Sequence, residues 1–138
     1  IVLAFLLGSS LYVRASDPHL GLIEYEISCL SCHGIDGRGD GPRAKLLKTK
    51  PADLTKIATN NGGKFPYRTV QEIIDGRAAG VAHVERDMPV WGDRYRNSAA
   101  TSQPADWIDQ RVRAQISALA KYIETLQKKD NGCYASTC

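Results

Sequence analysis

The chain reads as an all-α protein, and three observations predict it. A long apolar periodicity runs through its last third, a second helical stretch begins near residue 17, and β-branched residues occur only as isolated pairs. Its 138 residues, 43% of them apolar, suit one domain with a modest core.

Residues 1–13 (IVLAFLLGSSLYV) are almost wholly apolar and are stopped by Arg14, followed by Ala15, Ser16 and Asp17. The pattern is that of an export segment, and Val13-Arg14-Ala15 offers a cleavage site after Ala15. The alternative is a retained membrane anchor, although thirteen helical residues at ~1.5 Å each cover only about 20 Å of a ~30 Å hydrocarbon core. The expected organisation is a signal or anchor over 1–15, a globular domain over 16–129 and a tail over 130–138.

Residues 17–32 predict a helix with Asp17 as N-cap and Pro18 at its first position. Gly21, Tyr25 and Cys29 recur every four residues, so one face carries a small residue, an aromatic and a thiol. That face is built to pack closely on another helix.

The helix runs into Cys29-Leu30-Ser31-Cys32-His33, a C-x-x-C-H motif. A zinc half-site would need a second ligand pair, and the other cysteines, Cys133 and Cys138, have no histidine nearby. A thioredoxin-like pair would follow a strand in a βαβ unit, and none precedes Cys29. The motif is instead the one that attaches a c-type haem, with thioethers at Cys29 and Cys32 and His33 as an iron ligand. With only two Phe and two Trp in the chain, one covalent haem c is a natural centre for the core. Cys133 and Cys138 are left as a pair for a disulfide in an oxidising compartment.

Residues 33–42 (HGIDGRGDGP) form a glycine-rich loop. No strand precedes it and no G-x-G-x-x-G or Lys-Ser/Thr ending is present, so a nucleotide reading fails. Its glycines suit a backbone lying against the edge of a flat ligand, and the Pro42 carbonyl is placed to accept from the second ring nitrogen of His33. Thr69-Val70-Gln71-Glu72 has capping-box spacing and predicts a short helix through Ile73 and Ile74 to Gly76.

The sole methionine, Met88, lies in the polar segment Arg86-Asp87-Met88-Pro89, where a core-filling role is less natural than a thioether ligand to iron. His83 is the rival for that sixth position, and His19 a more distant one. From about Ser102 to Lys129, Ile108, Val112, Ile116, Leu119, Ile123 and Leu126 recur at spacings of three and four, with Pro104 near the start and Gly132 past the end. This seam predicts a long core helix.

With these motifs in hand, the chain resembles class I bacterial monohaem cytochromes c over residues 17–129. The resemblance rests on C-x-x-C-H near the start, the Gly21/Tyr25 helix before it, Met88-Pro89 in a later loop and Leu119-Ala120-Lys121-Tyr122 in the last helix. It implies crossed first and last helices around the haem, with Gly21 and Tyr25 meeting Leu119 and Tyr122. It further implies His33 and Met88 as axial ligands, Pro42 supporting His33, and Trp91 or Tyr67 bonding a propionate. The stretch from Gly92 to Pro104 and the tail with Cys133 and Cys138 depart from a minimal member.

The implied function is one-electron transfer between a periplasmic or membrane donor and an oxidase or reductase, without catalysis by the chain itself. A fixed cytochrome subunit of a larger oxidoreductase is the alternative. A gas sensor or enzyme with an open sixth site is a third reading, and it requires that Met88 not bind iron. The expected location is periplasmic, with membrane association through residues 1–13 if they are retained. The net charge is +3, yet residues 41–70 hold seven cations against Asp53 alone. This basic stretch suits docking to an acidic redox partner. With sparse aromatics and no recognition motif, nucleic acid is not an expected partner.

Overall fold

A computed structural model describes residues 18–77, 87–99 and 102–127. Its described elements are α1 (Pro18–Ser28), α2 (Leu30–His33), α3 (Ile57–Asn60), α4 (Tyr67–Asp75), α5 (Trp91–Ser98) and α6 (Ala105–Thr125), with 3₁₀ turns at Ala44–Leu46 and Leu54–Lys56. The all-α expectation holds. Asp17, the expected cap of the first helix, lies outside the described residues, as do residues 1–15, His83, Cys133 and Cys138.

The expected seam becomes α6. Val112, Ile116, Leu119 and Ile123 are buried, and Ile108 and Leu126 pack partly buried against them. Each fully buried aliphatic side chain contributes roughly 1.5–3 kcal/mol. The helix is shorter than the predicted 102–129. Pro104 serves as its N-cap, and its far end is tied off by Gln127, whose amide donates to the Leu54 carbonyl at 2.7 Å and accepts from Ala58 N–H at 2.8 Å.

Helices α1 and α6 cross in close contact. A Cβ at Gly21 would fall on the Ala118 carbonyl oxygen and crowd Tyr122 Cβ at 2.8 Å, so only glycine permits this approach. One turn on, Tyr25 is 1% exposed and its ring lies 5.1 Å from that of Tyr122. The expected crossing is present, with Tyr122 and Ala118 against Gly21 and with Leu119 in the same buried cluster as Tyr25.

The single helix expected over 17–32 is two. Cys29 N–H still donates to the Tyr25 carbonyl at 2.8 Å, but its backbone turns to φ −116°, and α2 restarts with His33 N–H on the Cys29 carbonyl at 2.9 Å. Helix α4 also begins earlier than its capping-box spacing suggested. Thr69 lies inside it rather than capping it, because burial of Val70 and Ile74 and the bond from Tyr67 Oη to the Ser117 carbonyl at 2.8 Å fix an entry at Pro66. Tertiary contacts there override the local signal.

The polar stretch after Met88 contains a helix that sequence reasoning missed. In α5, Trp91 and Tyr95 stack one turn apart with ring centroids at 5.8 Å, and Arg96 ties the helix to its neighbours. Its guanidinium meets buried Asp75 of α4 at 3.2 Å, Asp109 of α6 at 3.3 Å and Asp93 of its own helix at 3.3 Å. Arg77 also pairs with Asp75.

Candidate haem site

The C-x-x-C-H motif occupies the break between α1 and the single turn of α2. Cys29 ends up 5% exposed, Cys32 half-buried and His33 8% exposed. Burial first, then the nearby Glu24 and Cys32, push the Cys29 thiol up to about 12, so it stays neutral. A thioether suits that environment equally well.

His33 is oriented by backbone. Its Nδ1 lies 3.0 Å from the Ala52 carbonyl oxygen, which can only accept, so Nδ1 carries the proton and Nε2 keeps the lone pair. Burial holds the imidazole below its usual pKa, and the Ala52 bond opposes this in part. A neutral, rigidly held imidazole with Nε2 as the free base is what an axial iron ligand requires.

Pro42 does not play the part expected of it. It is exposed, and the carbonyl that meets His33 belongs to Ala52. The glycine loop explains the difference. Gly39 N–H donates to the His33 carbonyl at 2.8 Å, and Leu54 N–H to the Gly37 carbonyl at 2.7 Å, drawing residues 51–54 back toward the imidazole. Gly39 has φ 75°, and a Cβ there would strike the Pro51 carbonyl. The glycines thus let chain pack on chain. Ala52 was invisible to side-chain reasoning because its carbonyl does the work; the nearest sequence signal was Asp53, whose carboxylate caps the next turn by accepting from Thr55 N–H at 3.0 Å.

Met88 and Trp91 are partly buried against the same core cluster that includes Cys29. The Met88 segment is joined to the loop that follows the motif: Thr49 N–H donates to Asp87 Oδ2 at 3.1 Å, while Arg43 N–H donates to the Ser31 carbonyl at 2.8 Å. His19 is exposed on α1, ten residues before Cys29 and so about 15 Å along the helix axis. Tyr67, expected as one of two propionate donors, is engaged instead by Ser117 of α6. A cavity of about 400 Å³ beside α4 and α6 is lined by Arg68, Asp75, Arg77 and Arg113 among others, and by none of Cys29, Cys32, His33 or Met88.

Among the described residues no three His, Cys, Asp or Glu side chains converge to hold a bare metal ion. One oriented imidazole beside two thiols on an all-α scaffold fits a metal that brings its own macrocycle, which defines a c-type haem protein. A family model described as Cytochrome c matches residues 24–127, and the chain belongs to the cytochrome c family. No curated protein and no solved structure matches it. The chain carries one covalent haem c and serves haem-based electron transfer.

Proposed function

We propose that the protein is a one-electron carrier whose haem is ligated by His33 and Met88. The observation that supports this reading is the Ala52 carbonyl on His33 Nδ1, which leaves Nε2 free to bind iron, with Met88 packed on the same core as Cys29. When bound, the haem supplies the Fe(III)/Fe(II) couple. His33, in its fixed tautomer, would hold the iron through Nε2, and a thioether from Met88 would favour the ferrous state. With His33 held by the Ala52 carbonyl, this ligand would need little reorganisation between the two oxidation states.

The basic stretch supports an acidic redox partner. Arg43, Lys45, Lys48 and Lys50 are exposed, and Leu46 at their centre is 80% exposed. The loop lies on α2 through Arg43 and reaches the Met88 segment through Thr49. Association with an acidic donor or acceptor is expected to slow steeply as salt rises. Export through residues 1–13 and a Cys133–Cys138 disulfide complete the proposed setting outside the cytoplasm. No helix among the described residues is long and apolar enough to cross a membrane.

Optical spectra of the parent and of Met88→Ala, ferric and ferrous, with and without carbon monoxide, test the ligation. Loss of the red ferric Met–iron band in the variant alone, with no carbon monoxide binding by the parent, is the expected result. An unchanged spectrum in the variant would remove Met88 and point to His83. Rapid carbon monoxide binding by the parent would favour a sensor or enzyme.

A further inference from the structure

Helix α5 starts three residues after Met88, and its own N-cap, Val90, offers no side-chain bond. An anion is stabilising at such a helix start, and here it comes from another helix. Asp75, the last residue of α4, is 4% exposed, and its Oδ1 accepts from Arg96 of α5 at 3.2 Å. Gly92 lies one turn before Arg96 on the same face of α5. A Cβ at Gly92 would fall on that same Oδ1 and within 2.7 Å of the Asp75 carbonyl oxygen. The end of α4 is therefore pressed against the first turn of α5, and the bare backbone of the buried Gly92 permits it. The other carboxylate oxygen pairs with Arg77, just past the end of α4.

This contact is more selective than an apolar one. A buried ion pair is favourable only with both partners in place, so it fixes one relative position of the two helices. That position is passed along the chain to Met88. Arg94 N–H donates to the Val90 carbonyl at 3.2 Å, so Val90 moves with α5. Only Pro89 separates Val90 from Met88, and its ring fixes φ. Met88 and Trp91 pack on one core cluster. Where α5 sits thus decides where the Met88 thioether sits.

We infer that Asp75 is a positioning residue for the sixth iron ligand: by seating α5 through Gly92 and Arg96, it holds Met88 in place against exchange for an outside ligand. This role rests on the His33/Met88 ligation proposed above. Imidazole added in solution enters only as Met88 leaves; one iron–sulfur bond breaks, one iron–nitrogen bond forms, and the oxidation state is unchanged. Its apparent affinity therefore reports the fraction of chains with Met88 released.

The test is imidazole titration of the ferric, haem-loaded full chain, followed by loss of the red Met–iron band. Asp75→Asn keeps the shape and removes the charge, and it is expected to tighten imidazole binding on the order of tenfold, as the released fraction rises by that factor. Arg96→Gln, at a partly exposed position, should act in the same direction by a smaller factor, since Arg77 still pairs with Asp75. Gly39→Ala strains the His33 side instead, and a general loosening of the protein would register there too. Its imidazole affinity should stay within about twofold of the parent. An affinity in Asp75→Asn within about twofold of the parent, or equal tightening in Gly39→Ala, overturns the positioning role. If Asp75→Asn does not accumulate, Arg96→Gln decides by its direction. A parent without the red band, or an imidazole affinity that Met88→Ala leaves unchanged, overturns the Met88 ligation itself, whereas a parent with the band and an unmoved Asp75→Asn overturns only the role of Asp75.

Discussion

The His33 side and the Met88 side of this protein are held by different forces. Around His33 the fixings are hydrogen bonds to backbone carbonyls: Gly39 N–H to the His33 carbonyl, Gly41 N–H to the Cys32 carbonyl at 3.1 Å, and His33 Nδ1–H to the Ala52 carbonyl. Around Met88 they are long-range ion pairs. The helix that follows it is tied to α4 and α6 by Arg96, which bridges Asp75 and Asp109. Backbone bonds depend on turn geometry, whereas an ion pair depends on both partners being present and desolvated. The His33 side is therefore held by carbonyls that any residue can supply, and α5 by particular charged side chains 21 and 13 positions apart.

The largest effect should come from breaking the ionic side. Asp75 is 4% exposed, and its loss leaves two arginines without their shared anion. Because those arginines keep contact with water, Asp75→Ala should cost about 2–3 kcal/mol, below the full cost of breaking a dry pair. Denaturant unfolding measures that cost. Hydrogen exchange should show faster exchange over residues 91–98 with residues 33–43 unchanged. Equal acceleration of both regions would erase the contrast.

The reciprocal change is Gly39→Ala. A left-handed conformation at φ 75° and a clash with the Pro51 carbonyl together suggest a loss of about 2 kcal/mol, now concentrated on the His33 side. Exchange over residues 33–54 should rise while α5 stays protected.

Tyr25→Phe should be smaller, about 1 kcal/mol, since it removes one buried hydrogen bond, from Tyr25 Oη to the Gly34 carbonyl at 2.6 Å. It also sharpens the comparison through pH. Burial first, then neighbouring charges, raise the Tyr25 pKa above 10.0. The folded state keeps this proton at pH values where the unfolded chain loses it, so the contribution is full below about pH 10 and declines as pH rises further. Alkaline unfolding curves should show a weaker pH dependence in the variant. Smallest of all is Glu72→Gln, which breaks the exposed Arg68–Glu72 pair at 2.9 Å and should cost roughly 0.3–0.5 kcal/mol in low salt and less in high salt.

The same contrast explains what could be read from the residues. The α6 seam was legible because Val112, Ile116, Leu119 and Ile123 repeat at helical spacing and are buried. Gly21 and Tyr25 were legible as a packing face for the same reason. Helix α5 was not, since only Trp91 and Tyr95 mark its inner side and its other contacts are ionic. Nothing in the sequence marks Glu24 as buried; its hydrogen-bond partner, Gln115, lies 91 residues away.

The sequence by itself determined the attachment motif, the two long helices and the glycine that lets them cross, because each is a matter of spacing along one chain. The tertiary structure alone decided that Ala52 rather than Pro42 orients His33, that Tyr67 serves Ser117, and that the Asp75 and Glu24 side chains are buried. Those outcomes depend on which distant groups arrive within about 3 Å of one another, and hydrogen bonds and ion pairs are selective only at that range.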